Sequence, residues 1–157
     1  MTQAKPLSTL YEADLALWFA DTLAKLRAGE LNQVDVDHLI EELEGLAGRD
    51  RNEVESRLDV LLTHLLKRLY VTSAEDYRGW ENTIREQRKS LRRLFKQSPS
   101  LRNYAQSVFM EAWYDALADV RANYPEVTFP EKWPHSLAIE SLLTEIFWAN
   151  EQGPEDS

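Results

Sequence analysis

Apolar residues recur along this chain at steps of three and four, and nowhere do they alternate strictly with polar ones over the length of a strand. At about 100° per residue, Tyr11, Leu15, Trp18, Thr22 and Leu26 share one face, widened by Phe19 and Leu23. That pattern predicts a first helix starting at Ser8 or Thr9, with Thr9-x-x-Glu12 in the form of a capping box and Gly29 as its C-terminal stop. Asp35 has the position of an N-cap for a second helix, whose apolar residues are Val36, Leu39, Ile40, Leu43 and Leu46. Gly45 and Gly48 weaken its end and predict a break near Gly48. A third helix is expected from about Asn52 to Tyr70, with Val54, Leu58, Leu61, Leu62, Leu65 and Leu69 on its apolar face. The stretch VTSAEDYRG reads as a loop.

A fourth helix from about Tyr77 to Gln97 would bury Trp80, Ile84, Leu91, Leu94 and Phe95. In 98-SPSL-101, Ser98 has the chemistry of a cap and Pro99 suits the first helical position, where its missing N–H costs nothing. The fifth helix would use Leu101, Tyr104, Val108, Ala112, Ala116 and Val120. Three prolines keep 124-YPEVTFPEKWPHS-136 from being helical throughout. A last helix, from about Ser136 to Trp148, would carry Leu137, Leu142, Leu143, Ile146 and Phe147. The expected fold is therefore all-α, a compact bundle of five to six helices with no sheet, in one domain over residues 1–150 with a disordered tail at 151–157.

Composition narrows the function classes. With 43% hydrophobic and 29% charged residues, the chain has the make-up of a globular protein. It has no Cys, which excludes disulfides, thiolate nucleophiles and Cys-ligated metal centres. The first residues lack the basic-then-apolar order of a signal peptide, and no run reaches the length of a membrane span, so the cytoplasm is the expected location. A net charge of −9 argues against general nucleic-acid binding.

Four constellations carry possible chemistry. His64 lies outside the apolar arc of its leucine-rich helix, as a boundary residue expected to bond a polar group of another helix, with Asp14, Glu41 and Glu42 as carboxylate candidates. Asp35, His38 and Glu42 share one side of the second helix; a cap followed by a solvated face accounts for them, and no metal or cofactor is expected. Asp14 at a helix-face edge and Gln87 inside a predicted core each require a partner. Finally, Arg85, Lys89, Arg92 and Lys96 form a basic stripe without interleaved aromatics, for which Glu41, Glu42 and Glu44 offer internal counter-charge. No nucleophile elbow, P-loop or dinucleotide-binding glycine run is present, so an enzyme is disfavoured.

Taken in order, certain residues resemble the bacterial family catalogued as domain of unknown function twenty-nine. They are Tyr11-x-x-Asp14-x-x-x-Trp18, Leu26-Arg27-x-Gly29, Val34-Asp35, and Leu39-x-Glu41-Glu42-Leu43. They continue with His64-Leu65-Leu66-Lys67, Trp80-x-x-x-Ile84-x-x-Gln87-Arg88, Ser98-Pro99-Ser100-Leu101 and Tyr114-Asp115-Ala116. The resemblance covers about residues 8–121, and departs from the family at Gly79, where a capping Ser is usual. It implies an all-helical fold and no particular activity. Its polar positions coincide with those picked from the faces, giving a candidate cluster of Asp14, Trp18, Glu42, His64, Lys67, Gln87 and Arg88. The leading expectation is a small module acting through a protein partner, with self-association a further possibility. A ligand binder or enzyme built on the cluster comes second, and a nucleic-acid adaptor built on the Arg85–Lys96 stripe third.

Overall fold

Among the described residues, six α-helices and one 3-10 turn account for the regular structure, and no strand occurs. A computed structural model of the chain describes residues 7–149, with side chains from Leu10 onward; the expected tail at 151–157 lies outside that range. The described residues divide into two compact units, with the division between Arg49 and Asp50.

In the first unit, α1 (Leu7–Ala13) opens ahead of the Thr9 box, and the single helix expected there is two. Asp14 separates α1 from α2 (Leu15–Arg27), leaving helical geometry at φ −152°, ψ 93° so that its carboxylate accepts from the backbone N–H of Leu17. The side chain taken for a core-edge group is thus an exposed N-cap, satisfying one of the donors that open a helix. At the other end the predicted stop is present: Gly29 takes φ +74°, its N–H donates to Leu26 O, and that of Glu30 donates to Lys25 O. These paired bonds close the helix in the manner that favours glycine at this position. After a 3-10 turn at Leu31–Gln33, Asp35 caps α3 (Val36–Tyr70) through a bond from the His38 backbone N–H. The burial of this unit is thinner than its periodicity predicts. Trp18, Thr22 and Val34 are buried, whereas Leu15, Phe19, Leu23 and Leu26 of α2 and Val36, Ile40, Leu43 and Leu46 of α3 are exposed.

α3 itself corrects the expected break. It is one helix of 35 residues that passes through Gly45 and Gly48, each in helical backbone with open space where a Cβ would stand. Glycine lowers helix propensity without preventing the hydrogen bonds, so a helix supported elsewhere continues through it.

In the second unit the leucine face of α3 forms the core as expected, with Val54, Leu58, Leu61, Leu62 and Leu65 fully buried and Leu69 packed beside them. α4 (Ala74–Gln97) begins three residues before Tyr77, with Ser73 at the N-cap position, so Gly79 is interior to the helix. It contributes Ile84, Leu91 and Phe95 to the core, and Trp80 and Leu94 pack against it. Pro99 has helical dihedrals (φ −57°, ψ −27°) and leads into α5 (Ser100–Asn123), with the Ser98 and Pro99 carbonyls accepting from Leu101 and Arg102. The buried face of α5 is rotated from the expected one. Ala105, Phe109, Trp113 and Leu117 join Ala112, Ala116 and Val120, while Tyr104 and Val108 move to the edge. The larger rings of Phe109 and Trp113 cover more apolar area and set the phase.

The expected last helix is the largest shortfall: α6 is only Ile139–Thr144. Arg88 Nε donates to Leu142 O (3.0 Å), Arg88 Nη2 to Glu145 O (2.6 Å) and Arg92 Nη2 to Leu143 O (2.6 Å). Those carbonyls would serve the next turn of a longer helix. Two arginines of α4 take them, and Leu137 and Ile146, placed in the core by periodicity, are exposed.

Candidate functional site

The densest polar arrangement in the first unit grows out of the Asp35 cap. Its Oδ1 accepts the His38 backbone N–H, and its Oδ2 lies 2.5 Å from His38 Nδ1. One carboxylate therefore caps the helix and orients an imidazole three residues later. Burial pushes the Asp35 carboxyl upward, but its bonds from His38 prevail and hold it below its ordinary value. Trp18 is fully buried, and its Nε1–H finds no acceptor at bonding distance among the described residues, yet it adds to this stabilisation of the carboxylate. For His38 the Asp35 bond is the leading cause and raises the imidazole above its ordinary value; desolvation opposes it, and Asp35, Glu41 and Glu12 add favourable charge.

Tyr11 of α1 completes the group. Its ring stacks on His38 at 4.0 Å between centroids and meets Trp18 edge-on at 5.0 Å. Its hydroxyl donates to Glu42 Oε1 at 2.6 Å, and this bond is the first cause that pushes the phenol up to about 12. Tyr11 therefore stays protonated at neutral pH and serves as a donor rather than a base. Chemically the group is a carboxylate-held imidazole beside a phenol whose proton is already committed.

Of the candidate residues, Trp18 and Glu42 meet through Tyr11, and Asp14 is occupied by its cap. Asp35, His38 and Tyr11 belong with them. The Asp35–His38 spacing was legible as a shared helix face, whereas nothing in the sequence announces the stacking of Tyr11.

His64, Lys67, Gln87 and Arg88 fall in the second unit. His64 is half-buried, and its Nδ1–H donates to Val60 O of its own helix at 2.8 Å. The expected bond to a polar group of another helix, with Asp14, Glu41 and Glu42 as candidates, is thereby corrected: a backbone carbonyl one turn back lies within reach of a helical imidazole without any tertiary partner. Burial is the main influence and lowers the His64 pKa; the Val60 bond opposes it and Lys67 reinforces it. Gln87 is half-buried at the core's edge, not inside it, and accepts from Arg57 Nη1 at 3.2 Å. Arg88 is buried, and its guanidinium is pushed down to about 10, chiefly by burial and then by the like charge of Arg92. Arg85, the first residue of the basic stripe, bonds Asn82 Oδ1, so both arginines of the stripe take neutral acceptors instead of the expected acids.

Periodicity missed one further feature. Asp59 on α3 and Asp115 on α5 line a cavity of about 210 Å³ with Glu55 and Glu111. Burial raises the Asp59 carboxyl, with Asp119 and Asp115 adding to it. Among the described residues no group of His, Asp and Glu has an arrangement that could hold a metal ion.

The sequence profile of a family described as "Domain of unknown function DUF29" matches residues 10–148. The chain belongs to that family. The match runs beyond the motif resemblance and takes in the DUF29 C-terminal segment through Trp148. Neither the curated proteins nor the solved structures give a match to the chain. The DUF29 description assigns no activity, and no described helix is long and apolar enough to cross a membrane.

Proposed function

We propose that this DUF29 chain is an interaction module of the cytoplasm whose residues 10–49 receive a basic amphipathic helix of a partner protein. One observation carries this. Of the fourteen large hydrophobic side chains exposed among the described residues, ten lie between Leu15 and Leu46. A lone exposed leucine is ordinary, whereas a concentration of apolar side chains on one short segment marks a surface made to be covered. Leu15, Phe19, Leu23 and Leu26 recur along α2, and Val36, Ile40 and Leu43 along α3, at the spacing that accepts the apolar stripe of another helix. Residues 10–49 hold nine acidic residues against Lys25, Arg27 and Arg49. A second copy would bring like charge to this surface, and nucleic acid or an anionic membrane would be repelled; a helix flanked by Lys and Arg matches both its apolarity and its sign. The cysteine-free composition fits a reducing compartment. The Asp35–His38–Tyr11–Glu42 group supports the module by tying α1 to α3.

A photo-crosslinking residue placed at Phe19 or Ile40 of the full chain in its native host tests this. The expected adduct is with a different protein, through a peptide with helical apolar spacing and flanking basic residues, and Leu43→Asp abolishes it. Adducts no richer than those from a probe at exposed Asn103, or adducts only with a second copy, overturn it.

A further inference from the structure

We infer that the cavity between α4 and the segment following α6 binds a small organic anion, a phosphate or carboxylate carried on an apolar body. The cavity measures about 320 Å³ and is lined by Arg85, Arg88, Arg92, Glu81, Ile146 and Trp148, with Ile84 behind them. The arginines follow one another at steps of three and four, which puts all three on one side of α4.

The charge of this cavity is unbalanced. Arg88 is 7% exposed, and its bonded acceptors are the carbonyls of Leu142 and Glu145. Arg92 bonds the Leu143 carbonyl and Arg85 the Asn82 amide oxygen. Among the described residues none of the three has a carboxylate within salt-bridge distance. Other arginines of this unit do: Arg57 has Glu53 at 2.9 Å, Arg102 has Glu140 at 3.2 Å, and Arg68, as buried as Arg88, has Glu81 at 2.9 Å. Among the described residues, the one carboxylate lining the cavity, that of Glu81, is therefore already engaged.

Carbonyl bonds explain why Arg88 and Arg92 end α6, but neutral acceptors do not supply the missing charge. A buried guanidinium beside a second one is costly until an anion joins them: Arg92 pulls Arg88 down, and Glu145, beyond salt-bridge distance, offsets that repulsion only in part. Guanidinium forks match the paired oxygens of a phosphate or carboxylate, and each arginine here retains N–H groups beyond those already bonded. Ile146, 60% exposed, and half-buried Trp148 give the same cavity an apolar wall, which a free inorganic anion would leave uncovered. A small-molecule site of this size combines such a wall with a few convergent polar groups.

Calorimetric titration of the full chain at low ionic strength tests the assignment with phenyl phosphate, benzoate, inorganic phosphate and phenol. Phenyl phosphate or benzoate should bind at one site per chain, and whichever of the two binds more tightly identifies the anionic group. Inorganic phosphate and phenol should each be weaker by about tenfold or more. Arg85→Gln, at an exposed position with no role in ending α6, should weaken the better probe about tenfold, whereas Arg93→Gln outside the cavity should leave it unchanged. Absence of binding by both phenyl phosphate and benzoate at millimolar concentration overturns the site. Arg85→Gln binding as the wild type does, or inorganic phosphate binding as tightly as phenyl phosphate, overturns it equally.

Discussion

Asp35 Oδ2 lies 2.5 Å from Nδ1 of His38, and His64 Nδ1 lies 2.8 Å from a neutral carbonyl in a drier setting. The carboxylate favours the imidazolium, while burial favours the neutral ring. In a nuclear magnetic resonance titration His38 should therefore titrate above the ordinary value of about 6.5 and His64 below it. Asp35→Asn should bring His38 down and leave His64 unmoved; coincident titration of the two in the wild type contradicts this account. The linkage to stability has opposite signs. The His38 contribution is full below about 6.5 and is lost as pH rises through its folded value, whereas the His64 site is most stable above about 6.5 and loses stability as pH falls toward its folded value. At this scale the sequence placed His64 correctly on the helix boundary and Asp35 correctly at the cap. It misassigned the partner of His64 because an acceptor supplied by the backbone leaves no mark in residue identities. Arg88 was singled out as a polar candidate, but its role in ending α6 depends on a bond partner more than fifty positions away.

Helix boundaries depend on single residues whose effects are separable. Asp14 ends α1 and opens α2, so Asp14→Ala should cost about 1 kcal/mol, measured by urea denaturation, through loss of the cap. Gly45 and Gly48 are helical, and a Cβ at either meets nothing within 4 Å. Each Gly→Ala change there should stabilise by about 0.5–1 kcal/mol. Gly29→Ala should destabilise by about 1 kcal/mol, because φ +74° is the left-handed region. A Gly48→Ala variant less stable than the wild type would show that the helix is interrupted there after all. These positions also show what element prediction could reach. Gly29 was recognisable as a stop because it follows the last periodic residue and precedes a polar segment. Asp14 was not, because the apolar period runs unbroken from Tyr11 to Leu26 and conceals a cap in its middle. The helical character of nearly every segment followed from periods of three and four, whereas the early end of α6 came from tertiary bonds.

Apolar periodicity specifies which side of a helix avoids water, but not what covers it, and this distinction runs through the whole chain. The core cluster extends from Val54 to Leu143, while the first unit buries only Trp18, Thr22 and Val34 among its described side chains. Both units present similar apolar stripes in sequence, so the thin burial of the first could not be read from the pattern. It has a dynamic consequence, because local opening costs least where the least apolar surface is buried. α3 belongs to both regimes, with Leu58–Leu66 in the core and residues 36–48 carrying exposed Val36, Ile40, Leu43 and Leu46. In native-state hydrogen exchange, amides within Leu58–Leu66 should open only near the global unfolding free energy, and those of residues 36–48 at a fraction of it. Gly45→Ala with Gly48→Ala should narrow that difference by raising helix propensity where core contacts are few. A partner helix seated on Leu15–Leu46 should raise protection selectively over residues 10–49, since a ligand of the folded form stabilises it by mass action. Phenyl phosphate in the Arg88 cavity should instead raise protection in α4 and α6. Uniform protection along α3 in the free chain would mean that the first unit shares the stability of the core, and its exposed leucines would then have no energetic reason to await a partner.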